Sequence, residues 1–151
     1  MKLAPKEIEA ILPLPYSQEN VPDPVAVVKF FDPCGRYTLY VLEGRREPDG
    51  DLLLFGFCVS PLGPDYDELG YVSLQELESV RGPLGLGIER DLYFKPTQLS
   101  KIRDKSEKEG SDALGQLIRD RHHRREASPL QPRVRRELLD ETRHATTMRR
   151  R

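Results

Sequence analysis

Residues 25–59 read Val25-Ala-Val-Val-Lys-Phe-Phe31, Asp32-Pro-Cys-Gly35, Arg36-Tyr-Thr-Leu-Tyr-Val-Leu-Glu43, Gly44-Arg-Arg-Glu-Pro-Asp-Gly-Asp51 and Leu52-Leu-Leu-Phe-Gly-Phe-Cys-Val59. Three β-like runs separated by two turn-rich joints decide the fold class. Residues 25–31 are rich in β-branched and aromatic side chains, which suit a pleated surface. Residues 36–43 alternate, with Tyr37, Leu39 and Val41 on one face and Thr38, Tyr40 and Leu42 on the other. Residues 52–59 are apolar on both faces, so this strand belongs near the centre, covered by helices on at least one side. The joints hold Pro, Gly and Asp, which favour turns, and their lengths suit an antiparallel meander.

Helical signals flank this core. Residues 5–12 begin with Pro5, favourable at a first helical position, where a missing N–H costs nothing. Ile8, Ile11 and Leu12 form a stripe at i, i+3, i+4, and Pro13 and Pro15 end it. Ser73-Leu-Gln-Glu76 is a capping box, with Val72 and Leu77 at the staple positions. That helix runs to Val80 and stops before Gly82-Pro83, with Leu74, Leu77 and Val80 toward the sheet. Residues 88–94 return as a strand, Ile88, Arg90, Leu92 and Phe94 facing one way and Glu89, Asp91 and Tyr93 the other. The fold class expected is α+β: a small antiparallel sheet packed with two short helices, over residues 1–100. A charged, helical or partly disordered basic C-terminal extension follows over residues 101–151.

Charge marks the same boundary. The 151 residues carry a net charge of −1, but residues 1–100 hold 9 Lys+Arg against 16 Asp+Glu, and residues 101–151 hold 15 against 9. A −7 domain is thus joined to a +6 extension. All eleven aromatic residues lie between Tyr16 and Phe94. In the extension, stripes of Leu114, Leu117, Ile118 and of Val134, Leu138, Leu139 are too thin for a core of their own.

Composition excludes several classes. No run approaches the ~20 apolar residues of a membrane helix, and the charged, proline-bearing start is unlike a secretory signal. The expected location is cytoplasmic, with no membrane partner. Cys34 and Cys58 cannot build a disulfide framework and read as small hydrophobes. The glycines of residues 82–87 miss the phosphate-cradling spacings, so that segment reads as a turn. No cofactor and no metal is expected from the motifs present.

Two groups of residues carry candidate chemistry. Arg81, Glu89, Arg90 and Asp91 form the densest polar cluster, beside a sharp turn, and Glu43 from another strand is grouped with them as a candidate site, structural or binding in character. On a strand, Glu89 and Asp91 share a face about 7 Å apart. With Glu43 they make three oxygen donors of the kind a divalent ion takes in metal-assisted phosphodiester hydrolysis. An ion-pair network bracing the helix–strand loop explains the same residues without chemistry. The second group is basic: Arg119, Arg121, Arg124, Arg125, Arg133, Arg135 and Arg136 can contact phosphates. The extension lacks aromatics for base stacking. His122, His123 and His144 read as part of a solvated basic face, because helical neighbours diverge by about 100°.

Residues 69–94, Leu69-Gly-Tyr-Val-Ser-Leu-Gln-Glu-Leu-Glu-Ser-Val-Arg-Gly-Pro-Leu-Gly-Leu-Gly-Ile-Glu-Arg-Asp-Leu-Tyr-Phe94, resemble the signature stretch of domain-of-unknown-function family 2958. Met1-Lys-Leu, Ile11-Leu-Pro13, Val27-Val-Lys-Phe-Phe31 and Tyr37-Thr-Leu-Tyr40 with Glu43 resemble it too, so the likeness spans roughly residues 1–100. Where the family tends to carry a tryptophan in the second strand, this chain has Tyr37 or Leu39. The resemblance implies a small bacterial protein of plasmids and other mobile genetic elements, without an established reaction. The function expected is a non-enzymatic accessory or interaction protein, through a protein partner or nucleic acid bound by the tail. A metal-dependent hydrolase is the alternative. Docking of the +6 extension on its own −7 domain is a further expectation.

Overall fold

The computed structural model of the chain describes residues 2–126. Helix α1 (Lys6–Ile11) is followed by β1 (Val25–Ala26), β2 (Val28–Phe31), β3 (Thr38–Arg46), β4 (Leu52–Val59), β5 (Glu68–Ser73) and α2 (Leu74–Ser79). The chain continues through β6 (Glu89–Arg90), β7 (Thr97–Gln98) and α3 (Leu99–Glu126). The class is α+β, as expected. Five antiparallel strands in the order β5-β4-β3-β2-β6 form the sheet, and β1 pairs with β7 in a small ribbon.

The meander of residues 25–59 stands at the centre, with β4 flanked on both sides. The alternation of β3 sorts its side chains into two cores. Leu39 and Val41 join Val28, Phe30, Leu52 and Leu54 beneath α1 and α2. Tyr40 and Leu42 join Phe57, Val59, Leu99 and Ile102 beneath the start of α3. The register slips between Val41 and Glu43: Val41 lies opposite Gly56, Glu43 opposite Phe55, and Leu42 is the extra residue of a bulge. A bulge re-aims the side chains beyond it.

The structure amends several expectations. Residues 68–73, just ahead of the capping box, form a full edge strand. Of the box, Ser73 accepts from the Glu76 N–H at 3.2 Å. Asp51 from the preceding loop adds to this cap: it accepts from the Ser73 hydroxyl and from the Gln75 N–H. Leu74 and Leu77 are buried, but Val80 is exposed, because it leaves the helix in extended conformation. In α1, Ile8 and Leu12 reach the core while Ile11 points outward. The helix has only six residues, and Leu12 packs from beyond its end. The strand expected over residues 88–94 is limited to β6, because Asp91 turns the chain: its carboxylate accepts from the Tyr93 N–H at 3.0 Å. Leu92 and Tyr93 are therefore exposed.

The chain divides into two compact units, and the first, Met1–Ser111, includes the beginning of α3. Among the described residues, Leu99, Ile102 and Ser106 are the buried positions of α3, at i, i+3, i+7 on one helical face. Gly110 lies so close to Pro64 that a Cβ there would meet its ring at 2.1 Å. The stripe Val134, Leu138, Leu139 lies outside the described residues. No helix among the described residues is long and apolar enough to cross a membrane.

Candidate functional site

Glu43 is the one carboxylate of the candidate cluster that is buried, at 6% exposure. The bulge of β3 puts it level with Phe55, on the side of the sheet that α3 also covers. Across from it runs the proline-punctuated loop of residues 13–24. Glu43 accepts the Tyr16 N–H on Oε2 at 2.8 Å and the Gln18 N–H on Oε1 at 2.9 Å. Tyr16 has φ 62°, a left-handed conformation that costs a non-glycine residue about 1–2 kcal/mol. The carboxylate is what holds this turn, since it takes the two N–H groups that the loop would otherwise leave without partners.

Gln18 locks the same loop from its other end. Its amide donates to the carbonyls of Leu42 (2.8 Å) and Val25 (3.1 Å) and accepts from the Val25 N–H (2.7 Å). It thereby fills the gap where β1 parts from β3. Gln18→Leu should cost about 2 kcal/mol, because it leaves these backbone groups unpaired in a half-buried place. Urea unfolding would measure it, and an unchanged midpoint would show that water replaces the amide.

Two adjoining hollows open here, of about 200 and 410 Å³, and Tyr16, Glu43, Phe55 and Tyr71 line both. Phe55 and Tyr71 stack obliquely with centroids 4.9 Å apart. Tyr16 and Tyr71 are 65% and 58% exposed. The Tyr71 phenol is raised above its ordinary value, first by hydrogen bonding with Tyr16, then by partial burial, with the charge on Glu43 adding to it. Tyr16, Tyr71 and Phe55 thus border the groove together with the Glu43 carboxylate. Arg45 also borders the smaller hollow, but its guanidinium is engaged by Glu47 at 2.5 Å.

The other members of the sequence cluster are elsewhere. Glu89 lies beyond β2, opposite Phe31, and Glu43 is on β3. Two ladder spacings, about 10 Å, separate them before any offset along the strands is added. Asp91 extends the β6 side of the ladder, its N–H bonded to the Lys29 carbonyl, and its carboxylate pairs with the Lys29 ammonium at 3.3 Å. Arg90 donates to the Leu3 carbonyl at 2.9 Å and so tethers the N-terminus. Arg81 donates to the carbonyls of Glu78 and Val80 and closes the end of α2. Arg81 and Glu89 do line one polar hollow, with Glu78. Glu43, Glu89 and Asp91 are not brought to one point, and no group of three or more His, Cys, Asp or Glu residues suited to a metal occurs among the described residues. Arg119, Arg121, Arg124 and Arg125 lie on α3, as do His122 and His123. Arg133, Arg135, Arg136 and His144 lie outside the described residues.

Sequence reasoning named Glu43 but not its surroundings. Tyr16, Gln18 and Tyr71 were missed, because their link to it runs through loop backbone and an unforeseen strand. The strongest available signal was the Pro13–Pro15 pair, which forces a fixed turn beside exposed aromatics.

A protein family described as "Protein of unknown function (DUF2958)" matches residues 4–112, more than two thirds of the chain. No curated protein and no solved structure matches it.

Proposed function

This chain belongs to the DUF2958 family of proteins of unknown function, and from that premise we propose that it is a non-enzymatic interaction protein whose partner surface is the groove at Tyr16 and Tyr71 together with the free edge of β5. The edge carries the reading. β5 pairs with β4 on one side and with no strand on the other among the described residues. Edge strands are templates for pairing, and proteins usually blunt them with lysine, proline or a bulge. β5, Glu68-Leu-Gly-Tyr-Val-Ser73, has none of these. Its Leu69 and Tyr71 are exposed and border the groove. Val21, exposed on the facing loop, extends the apolar surface.

An extended peptide laid along β5 would gain main-chain hydrogen bonds from the edge, while one side chain in two would enter the groove. A partner strand is thus the ligand class the geometry favours over a small molecule or a hydrolysed phosphodiester. The setting, an accessory protein of a bacterial mobile genetic element, is supported by the family resemblance alone.

The test is a selection of peptides from a random library on the full-length protein. Selected peptides should lose at least about tenfold in affinity for Tyr71→Lys, since a charged side chain replaces an aromatic contact and lysine blunts a strand edge. They should bind Leu84→Lys, a change at an exposed residue of the loop after α2, like the wild type. Binders indifferent to Tyr71→Lys, or none at all, would end the proposal.

A further inference from the structure

We infer that the groove between Tyr16 and Tyr71 receives an arginine side chain of the partner strand, its guanidinium held by Glu43 between aromatic rings. The inference rests on the interaction reading above and names the chemistry of what the groove takes.

Four observations converge. First, Glu43 is a buried carboxylate whose oxygens each accept one backbone N–H. A carboxylate has about four acceptor positions, so each oxygen retains capacity, and Glu43 borders both hollows. Secondly, three aromatic residues, Tyr16, Phe55 and Tyr71, line the same two hollows as Glu43. Cations are attracted to ring faces, and the planar guanidinium also stacks on them, which an ammonium does not. Thirdly, the cation that borders the smaller hollow among the described residues is otherwise engaged: Arg45 is paired with Glu47. Fourthly, the charge of the domain, −7 over residues 1–100, with Glu19 lining the larger hollow, favours a cationic visitor. An aliphatic partner residue would bury the carboxylate without offering it a donor, which is costly. A carboxylate would add like-charge repulsion.

Tyr16 supplies the reason for building the site this way. A strained residue persists where the surrounding structure over-determines it. Here Glu43 fixes the left-handed turn that presents the Tyr16 ring at the groove. The same carboxylate therefore shapes the aromatic wall and provides the counter-charge.

The experiment titrates the full-length protein with N-acetyl-arginine amide and, as an uncharged isostere, N-acetyl-citrulline amide, following the tyrosine ring resonances by NMR. The arginine probe should shift Tyr16 and Tyr71 saturably, and the citrulline probe should bind about tenfold or more weakly, the usual margin of a charge-assisted hydrogen bond. Tyr71→Leu, on the exposed edge, keeps apolar bulk but removes a ring, and should weaken the arginine probe about threefold or more. Glu43→Gln should abolish the preference for arginine over citrulline. If Glu43→Gln proves misfolded, Tyr71→Leu and the two probes still decide. Equal binding of the probes, no binding, or shifts confined to other tyrosines would overturn the inference. Tyr71-dependent peptides from the library together with equal binding of the probes would remove the cation pocket and leave the strand edge standing. A bound arginine probe with no Tyr71-dependent peptide would do the opposite.

Discussion

Gly56→Ala is expected to destabilise the protein by about 3 kcal/mol or more, the upper range for forcing an atom into a packed interior. A Cβ at Gly56 would stand 2.2 Å from the Tyr40 carbonyl oxygen, 2.9 Å from its carbon and 3.0 Å from the Val41 Cα. All three are backbone atoms of β3, a central strand held by β2 on its far side, so no flexible side chain can yield. The clash lies at the bulge, where β3 approaches β4 with an extra residue. Gly70 provides the matched control. It sits directly opposite Gly56 on β5, yet a Cβ there would meet nothing within 4 Å. Gly70→Ala should leave stability unchanged or raise it by up to about 1 kcal/mol, since alanine restricts the unfolded chain. Chemical denaturation of both variants is the measurement. A Gly56→Ala protein as stable as Gly70→Ala would mean that the bulge is not as tight as described.

The second large effect concerns Asp67, whose side chain is 6% exposed. Its carboxylate receives the Arg36 guanidinium through two nitrogens at 2.8 and 2.9 Å, the Ser60 N–H at 2.8 Å and the Ser106 hydroxyl at 2.5 Å. One carboxylate thus ties the turn before β3, the loop after β4 and the first part of α3. Asp67→Ala would leave a partly buried guanidinium without its counter-charge. The expected cost is about 3 kcal/mol, with a fall in Tm on the order of 10 °C. The pH dependence carries a definite sign. Burial pushes the Asp67 carboxyl up, but the hydrogen bonds from Arg36, Ser106 and the Ser60 N–H, with the Arg36 charge, outweigh it and leave the group below the ordinary carboxylate range. A carboxyl with a lowered folded pKa contributes its full stability above the unfolded value and loses it as pH falls toward the folded one. The wild type should therefore lose stability below about pH 4, and Asp67→Ala should lose less over that interval. Parallel melting curves of the two proteins from pH 6 to pH 3 would refute the role given to Asp67.

How much of this was legible beforehand follows from the range of each interaction. The three strands of the meander announce themselves through local alternation, and the cap of α2 through Ser73 and Glu76. β5 did not, because Leu69-Gly-Tyr-Val72 is short, glycine-bearing and merges into the capping signal. The bulge left no trace either, since Leu42 simply continues an apolar pattern. It is the bulge that separates Glu43 from the phase of Leu39 and Val41 and sends it to the groove. Glu43, Glu89 and Asp91 looked alike as carboxylates on strands. Their fates differ because of partners remote in sequence: loop amides of Tyr16 and Gln18 for Glu43, and Lys29 for Asp91. A pattern confined to neighbouring residues contains none of those pairings.

The two cores also differ in the order in which synthesis completes them. Every buried residue of the core under α1 and α2 lies between Leu3 and Ile88. The opposite core needs Leu99 and Ile102, and Asp67 needs Ser106. A domain folds as a unit, so until the beginning of α3 has left the ribosome this face of the sheet lacks its cover. In that interval Phe57 and Val59 are without Leu99 and Ile102, and the Tyr16–Tyr71 groove is without Leu99. A nascent chain paused there would offer a chaperone, or the partner strand itself, a wider apolar landing surface than the finished protein does.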